Sequence, residues 1–223
     1  MTQAKKILKF YNSLSVPTAL PDGVEIMNPY QNKKAAALAR QFYHRYYDDT
    51  NQRALIVGIN PGRFGGGITG IPFTDPLKLE VQCGIKNDFE KRTELSADFI
   101  YRMIAAYGGV DAFYSRFYIG AVCPLGLTLN GKNLNYYDTR EVESVLRDFM
   151  VNSLKAQLDF PLDREYCFCL GEGKNFAYLT KLNREYDLFK NIVPLSHPRF
   201  IMQYRRKRVD EYVEKYVEVL RRA

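Results

Sequence analysis

The spacing of apolar and polar positions divides the chain into alternating helical and extended stretches. Residues 4–14 interleave lysines with Ile7, Leu8, Phe10, Tyr11 and Leu14, which places the apolar groups on one side of a helix. Pro17, Pro21, Gly23 and Pro29 predict a loop. Residues 32–47, with Ala35, Ala36, Leu38, Ala39, Phe42, Tyr43 and Tyr46, predict a second helix that Asp48-Asp49-Thr50-Asn51 ends. The short run Ala54-Leu55-Ile56-Val57, within residues 53–59, predicts a buried strand. Residues 76–93 are mixed and polar and predict no element. Residues 95–107 predict a helix with Phe99, Ile100, Met103 and Ile104 on one side and Gly108-Gly109 as its stop. Residues 117–122 predict a second strand, ended by Cys123-Pro124 and followed by a polar loop at 130–135. Asp138 with Glu141 three residues later has the form of a capping box, opening a helix that runs to about residue 158. A third strand at 166–170 turns through Gly171-Glu172-Gly173 into another helix. A fourth strand at 192–195 carries Ser196-His197-Pro198 at its end, and residues 209–220 predict a closing helix.

Strands alternating with helices imply an α/β chain whose parallel sheet is covered on both faces. No repeat, low-complexity tract or linker interrupts it, so one domain over residues 1–223 is expected, with 1–50 as a helical extension packed on it. A length of 223 residues suits one substantial core, and 46% hydrophobic with 26% charged residues is an ordinary globular composition. No stretch approaches the roughly 20 apolar residues of a membrane span. Met1 to Lys6 lead into a helix rather than an apolar signal core. The expectation is a chain that meets no membrane and stays where it is made: cytoplasmic, nucleoid-associated in a bacterium, nuclear in a eukaryote. Cys83, Cys123, Cys167 and Cys169 lack the spacing of a zinc or iron–sulfur site and read as reduced, buried thiols. The net charge of +7 permits a polyanionic partner without requiring one.

Candidate chemistry concentrates after the first strand. Gly58-Ile59-Asn60-Pro61-Gly62-Arg63-Phe64-Gly65-Gly66-Gly67-Ile68-Thr69-Gly70-Ile71-Pro72-Phe73 puts a side-chain amide at a strand's carboxyl end, where open α/β sheets bind ligands. Its glycines let the main chain pass close to a planar or phosphorylated group, and Phe73 offers a ring face. A flexible surface loop is the plain alternative. The stretch lacks both the Gly-x-x-x-x-Gly-Lys-Ser/Thr and the Gly-x-Gly-x-x-Gly patterns of nucleotide-dependent enzymes.

Gly-Ile-Asn-Pro-Gly, then Phe-Gly, then Thr-Gly-Ile-Pro-Phe, resembles the first motif of the uracil-DNA glycosylase superfamily. Thr69 to Phe73 resembles most the single-strand-selective monofunctional branch. Of two histidines, His44 sits among aromatic residues of a helix and reads as structural or exposed. His197 follows a strand and precedes Pro198, where the superfamily has its second motif. Cys123-Pro124-Leu125, Gly131-Lys132-Asn133-Leu134 and Leu170-Gly171-Glu172-Gly173 resemble the same branch, so the likeness spans roughly residues 53–204.

The resemblance implies a three-layer α/β/α fold around a central, mainly parallel four-stranded sheet. It also implies base-excision repair: hydrolysis of the N-glycosidic bond of uracil or a related damaged base in DNA, by a monofunctional enzyme without metal or cofactor. Asn60 would position the water and His197 would stabilise the departing base anion. Phe73 would stack on the base, with Ile59, Gly62 and Ala121 lining its pocket. After Pro198 the family's Ser-Pro-Arg-Asn-Pro-like continuation is replaced by Arg199-Phe200-Ile201-Met202. These residues are expected in a loop that wedges into the base stack, and Arg205, Arg206, Lys207 and Arg208 are expected on phosphates. Four such contacts give a log–log salt slope of about −3 to −4. The expected partner is DNA, single- or double-stranded, and the expected state is a monomer.

One position departs from the pattern. Two residues before Cys123-Pro124 the family carries an asparagine that pairs with the base edge, and here Ala121 stands there. Three outcomes stay open: another side chain reaches that edge, with Asn130, Asn133 and Asn135 nearest in sequence; the preferred base differs from uracil; or the chain binds DNA through a glycosylase fold with weak or no cleavage.

Overall fold

In chain order, the elements of the computed structural model are α1 (Gln3–Asn12), β1 (Val24–Met27), α2 (Lys33–Tyr47), β2 (Arg53–Gly58), α3 (Gly66–Thr69), α4 (Pro76–Val81), α5 (Leu95–Tyr107), α6 (Val110–Arg116), β3 (Phe117–Ala121), β4 (Gly126–Leu129), β5 (Lys132–Leu134), α7 (Arg140–Gln157), β6 (Leu162–Leu170), α8 (Lys174–Tyr186), β7 (Asn191–Leu195), α9 (Pro198–Tyr204) and α10 (Val209–Leu220). The structure describes residues 1–16 and 19–222. Pro17, part of the expected loop, lies outside them.

Four strands form a parallel sheet in the order β3-β2-β6-β7. Helices surround it in the three-layer α/β/α arrangement. Every residue of β2 and β3 is buried, which is why both segments lack a polar alternation. The register sets Gly58 beside Ala121 and Leu170 beside Leu195. The chain therefore leaves all four strands at one end of the sheet, the end where parallel sheets place ligands.

Two groups of contacts fix the sheet, one at each end. Arg53, at the start of β2, is fully buried. Its guanidinium donates to the carbonyls of Tyr46 and Tyr114, to Gln3 Oε1 at 2.6 Å and to both carboxylate oxygens of Asp49 at 2.7 and 2.9 Å. Such a filled set of acceptors offsets the cost of burying the charge and ties residues 1–50 to the sheet. On the other side, Phe99 of α5 meets Tyr216 of α10 edge to face, with centroids 4.9 Å apart. The Tyr216 hydroxyl donates to the Ser196 carbonyl, and Ser196 Oγ donates to Glu172 at 2.7 Å. The residue before His197 is thereby anchored to α10 and to the turn after β6.

Several local expectations are corrected. The proline-rich segment contains β1, which pairs antiparallel with β4. Residues 130–135 are not a loop: β4 and β5 form a hairpin turning through Asn130 at φ 49° and Gly131 at φ 73°, the left-handed pair that Asn-Gly favours in two-residue turns. Strands of three or four residues are too short for alternation to register. Helix α7 is capped by the Thr139 hydroxyl, which accepts the Val142 N–H at 3.2 Å, while Asp138 accepts the Asn135 N–H at 2.8 Å. Residues 76–81 are helical, with Pro76 in the first turn and the buried Asp75 as cap. No helix among the described residues is long and apolar enough to cross a membrane. All four cysteines are buried and free.

Candidate active site

The loops after β2, β3 and β7 and the hairpin β4–β5 enclose a cavity of about 630 Å³, open mouth included. Asn60, Phe73 and His197 all line it, together with Ile59, Gly62 and Ala121. Residues 137 positions apart in sequence at the extremes (197 − 60) thus converge because parallel strands deliver their following loops to one place.

Asn60 is held at both ends. Its Nδ2 donates to the Leu134 carbonyl at 3.0 Å, and its Oδ1 accepts the Tyr136 N–H at 3.3 Å. The hairpin therefore fixes which end of the amide is donor and which is acceptor. The Arg63 N–H donates to Asn133 Oδ1 at 3.0 Å, lacing the glycine-rich loop to the same strand.

Phe73 has φ 52°, a left-handed conformation uncommon for a bulky residue. The preceding turn is folded around the buried Thr69 hydroxyl, which accepts the Ile71 N–H at 3.1 Å and donates to the Thr74 carbonyl at 2.7 Å. That is what Thr69 contributes to the motif. The ring lies against the end of β2: a Cβ on Gly58 would stand 3.0 Å from it, close enough that the ring would have to give way. The Phe73 and His197 rings are 6.2 Å apart and inclined at 52°.

His197 caps α9. Its Nδ1 accepts the Arg199 N–H at 3.1 Å, so the neutral ring carries its proton on Nε2. Burial, with the Arg199 charge adding to it, lowers its pKa to about 4. At neutral pH the imidazole is an uncharged donor.

The other expectations divide. Asn133 and Asn135 line the cavity and Asn130 does not. Asn133 Oδ1 is taken by Arg63, and Asn135 Nδ2 donates to Asp138 at 3.3 Å. A second groove adjoins the cavity, lined by Tyr137, Lys174, Arg199, Phe200, Gln203 and Tyr204 among others. The expected wedge loop is the helix α9. Pro198 opens it and the His197 side chain caps it, which favours helix over loop. Ile201 and Met202 are 0% and 4% exposed and pack toward the core; Phe200 and Tyr204 are 40% and 62% exposed. The wedge expectation is thus corrected for Ile201 and Met202. Arg208 is held by Glu211, with N–O distances of 3.0 and 2.7 Å, and the Arg205 guanidinium lies 5.3 Å from the Phe200 ring centre. Arg206 and Lys207 are exposed without an acidic partner among the described residues.

Sequence reasoning missed Glu94. It lies at the N-cap of α5 but makes no capping bond; its side chain turns into the cavity. Burial, and then the nearby Asp75, raise its pKa to about 7 against the lowering effect of Arg199. No spacing signal marks it, since its place is set by the approach of α5 to the glycine-rich loop. A Cβ on Gly62 would fall 2.4 Å from its Oε1, and one on Gly65 would fall 1.9 Å from its Oε2.

Comparison with known proteins places this arrangement. The family described as the Uracil DNA glycosylase superfamily matches residues 44–221. A crystal structure of wild-type SMUG2 from Pedobacter heparinus is similar at 45% sequence identity with a TM-score of 0.96, covering 99% of this chain and 97% of that one. This agrees with the branch indicated by Thr69 to Phe73. Comparison with curated protein sequences returned no match. The chain belongs to the uracil DNA glycosylase superfamily.

Proposed function

We propose that the protein is a monofunctional DNA glycosylase that hydrolyses the N-glycosidic bond of uracil or a related deaminated base in DNA. The observation that carries this reading is the convergence of Asn60, Phe73 and His197 on one cavity. The target nucleotide is turned out of its stack into that cavity, with Phe73 against its face. Asn60, its donor end engaged by Leu134 and its oxygen already accepting the Tyr136 N–H, presents that oxygen's remaining lone pair to a water that attacks the sugar carbon. An amide is too weak a base to ionise that water early, so it orients it while the sugar develops oxocarbenium character. The base leaves as an anion, and His197 Nε2–H donates to its carbonyl oxygen. A neutral donor aimed where charge grows is sufficient for this. The residues named above as lining the cavity include no amine that forms a Schiff base, which supports hydrolysis without strand cleavage.

DNA reaches the site across the adjoining groove. Phe200 and Tyr204, on the exposed face of α9, supply the apolar wedge, and Arg199, Arg206 and Lys207 meet phosphates. The presence of Ala121 favours a second reading, a glycosylase-fold DNA binder without efficient cleavage. Oligonucleotides carrying uracil, 5-hydroxymethyluracil, hypoxanthine or xanthine separate the two. Incubation followed by alkali breaks the strand if the base was removed. Retention on DNA with no break at any of the four bases overturns the enzyme reading.

A further inference from the structure

In this fold the base edge lacks its expected reader. The Ala121 side chain bonds nothing, Asn130 lies outside the cavity, and Asn133 and Asn135 each have one amide atom tied to a neighbour, Oδ1 to the Arg63 N–H and Nδ2 to Asp138, so neither offers an entirely free amide. Glu94 brings into the same cavity a carboxyl group with no hydrogen-bond partner among the described residues. We propose, on the basis of the glycosylase reading, that Glu94 in its protonated form reads the lactam edge of the flipped base, its O–H donating to a base carbonyl and its C=O accepting a base N–H.

The geometry supports this in three ways. A carboxylic acid presents one donor and one acceptor side by side, as a carboxamide does, so it reproduces the hydrogen-bonding set that Ala121 lacks. Its location is held at the root: the Glu94 N–H donates to Asp75 Oδ2 at 2.9 Å, while Asp75 Oδ1 accepts the Lys78 N–H at 2.7 Å and the whole Asp75 side chain is buried. Its carboxyl rests over Gly62 and Gly65, where a Cβ would fall 2.4 Å from Oε1 and 1.9 Å from Oε2 and would push it out of this position. A partly buried carboxyl turned away from its own helix N–H groups has its bonding capacity unmet inside the protein, and a complementary ligand edge meets it. The groups facing it are Asp75 before α4, Arg199 on α9 and the neutral His197. The first, after burial itself, raises its pKa to about 7 and Arg199 opposes, so both forms exist at neutral pH.

The test is binding, which keeps it separate from excision. It compares affinity for DNA bearing 2′-fluoro-2′-deoxyuridine, whose fluorine slows cleavage, with affinity for DNA bearing a tetrahydrofuran abasic analogue. Wild type is expected to favour the base, and the preference is expected to decline as pH rises from 6 to 8. Glu94→Ala is expected to reduce the preference by about 10-fold or more while tetrahydrofuran binding persists, which also shows that the variant is folded. Glu94→Gln is expected to keep the preference and remove its pH dependence. No preference in wild type, an unchanged preference in Glu94→Ala, or a Glu94→Gln variant that binds tetrahydrofuran DNA yet behaves as Ala overturns the proposal. Base preference intact with no excision would instead remove the glycosylase reading.

Discussion

Nδ1 of His197 accepts the backbone N–H of Arg199 at 3.1 Å. One imidazole thereby caps a helix with one nitrogen and leaves the other as a donor in the cavity. Protonation of Nδ1 would break the cap, and burial and Arg199 already hold the pKa near 4. The folded state thus binds this proton less readily than the unfolded chain, so stability is lost as pH falls from about 6.5 toward about 4. The acid limb of single-turnover excision is expected below pH 5; a midpoint near 6.5 would show an ordinary imidazole. His197→Ala is expected to lower the rate by about 10-fold or more with DNA affinity retained.

Asn60 sits between the Leu134 carbonyl and the Tyr136 N–H. Asn60→Ala removes the water's acceptor and leaves the hairpin in place. Excision is expected to fall by about 10-fold or more, while anisotropy titrations with uracil DNA change little. Unaltered rates in both Asn60→Ala and His197→Ala would remove the roles assigned to them.

Glu94 links stability to pH in the opposite sense to a paired carboxylate. Its folded pKa of about 7 stands above the ordinary 4.5, so its contribution is fully present below pH 4.5 and is lost as pH rises through 7. Glu94→Gln should match wild type near pH 4.5 and exceed it at pH 8, by about 3 kcal/mol at most. Urea denaturation at the two pH values measures this. Equal differences at both would mean that the carboxyl titrates normally. Gly62→Ala, whose Cβ would meet Glu94 Oε1 at 2.4 Å, should displace the carboxyl and reproduce the base-binding loss of Glu94→Ala.

Much of this arrangement was legible in the sequence, for identifiable reasons. Helices α5 and α10 and the cores of the four parallel strands follow from apolar runs with clear stops, because burial on both faces removes polar alternation. Asn60 and His197 were legible because each follows directly on an apolar strand, and the three together, Phe73 included, because they fall in stretches that resemble the superfamily's motifs. Strands β1, β4 and β5 were not, since hydrogen bonding between distant short segments leaves little pattern in any one of them. Glu94 was not, because its position depends on α5 meeting the loop at Gly62 and Gly65. Ile201 and Met202 were misassigned because a basic run hides which face of a short helix the core covers.

That last distinction is measurable on α9. Phe200 and Tyr204 are exposed with ring centroids 5.6 Å apart, whereas Ile201 is fully buried and Met202 nearly so. Truncating the first pair should leave the melting temperature near wild type and weaken binding to duplex DNA more than to single strands, since a wedge is needed only where a stack must be opened. Truncating Ile201 or Met202 should instead cost about 2–5 kcal/mol of stability. The charges on the following turn separate similarly. Replacing exposed Arg206 or Lys207 with Ala should each reduce the salt slope of binding by about 0.7–0.9. Arg208→Ala should change it least, because Glu211 already holds that guanidinium through two close contacts. A slope that responds equally to all three would mean that the Arg208–Glu211 pair opens on DNA, restoring the larger phosphate footprint that charge count alone suggests.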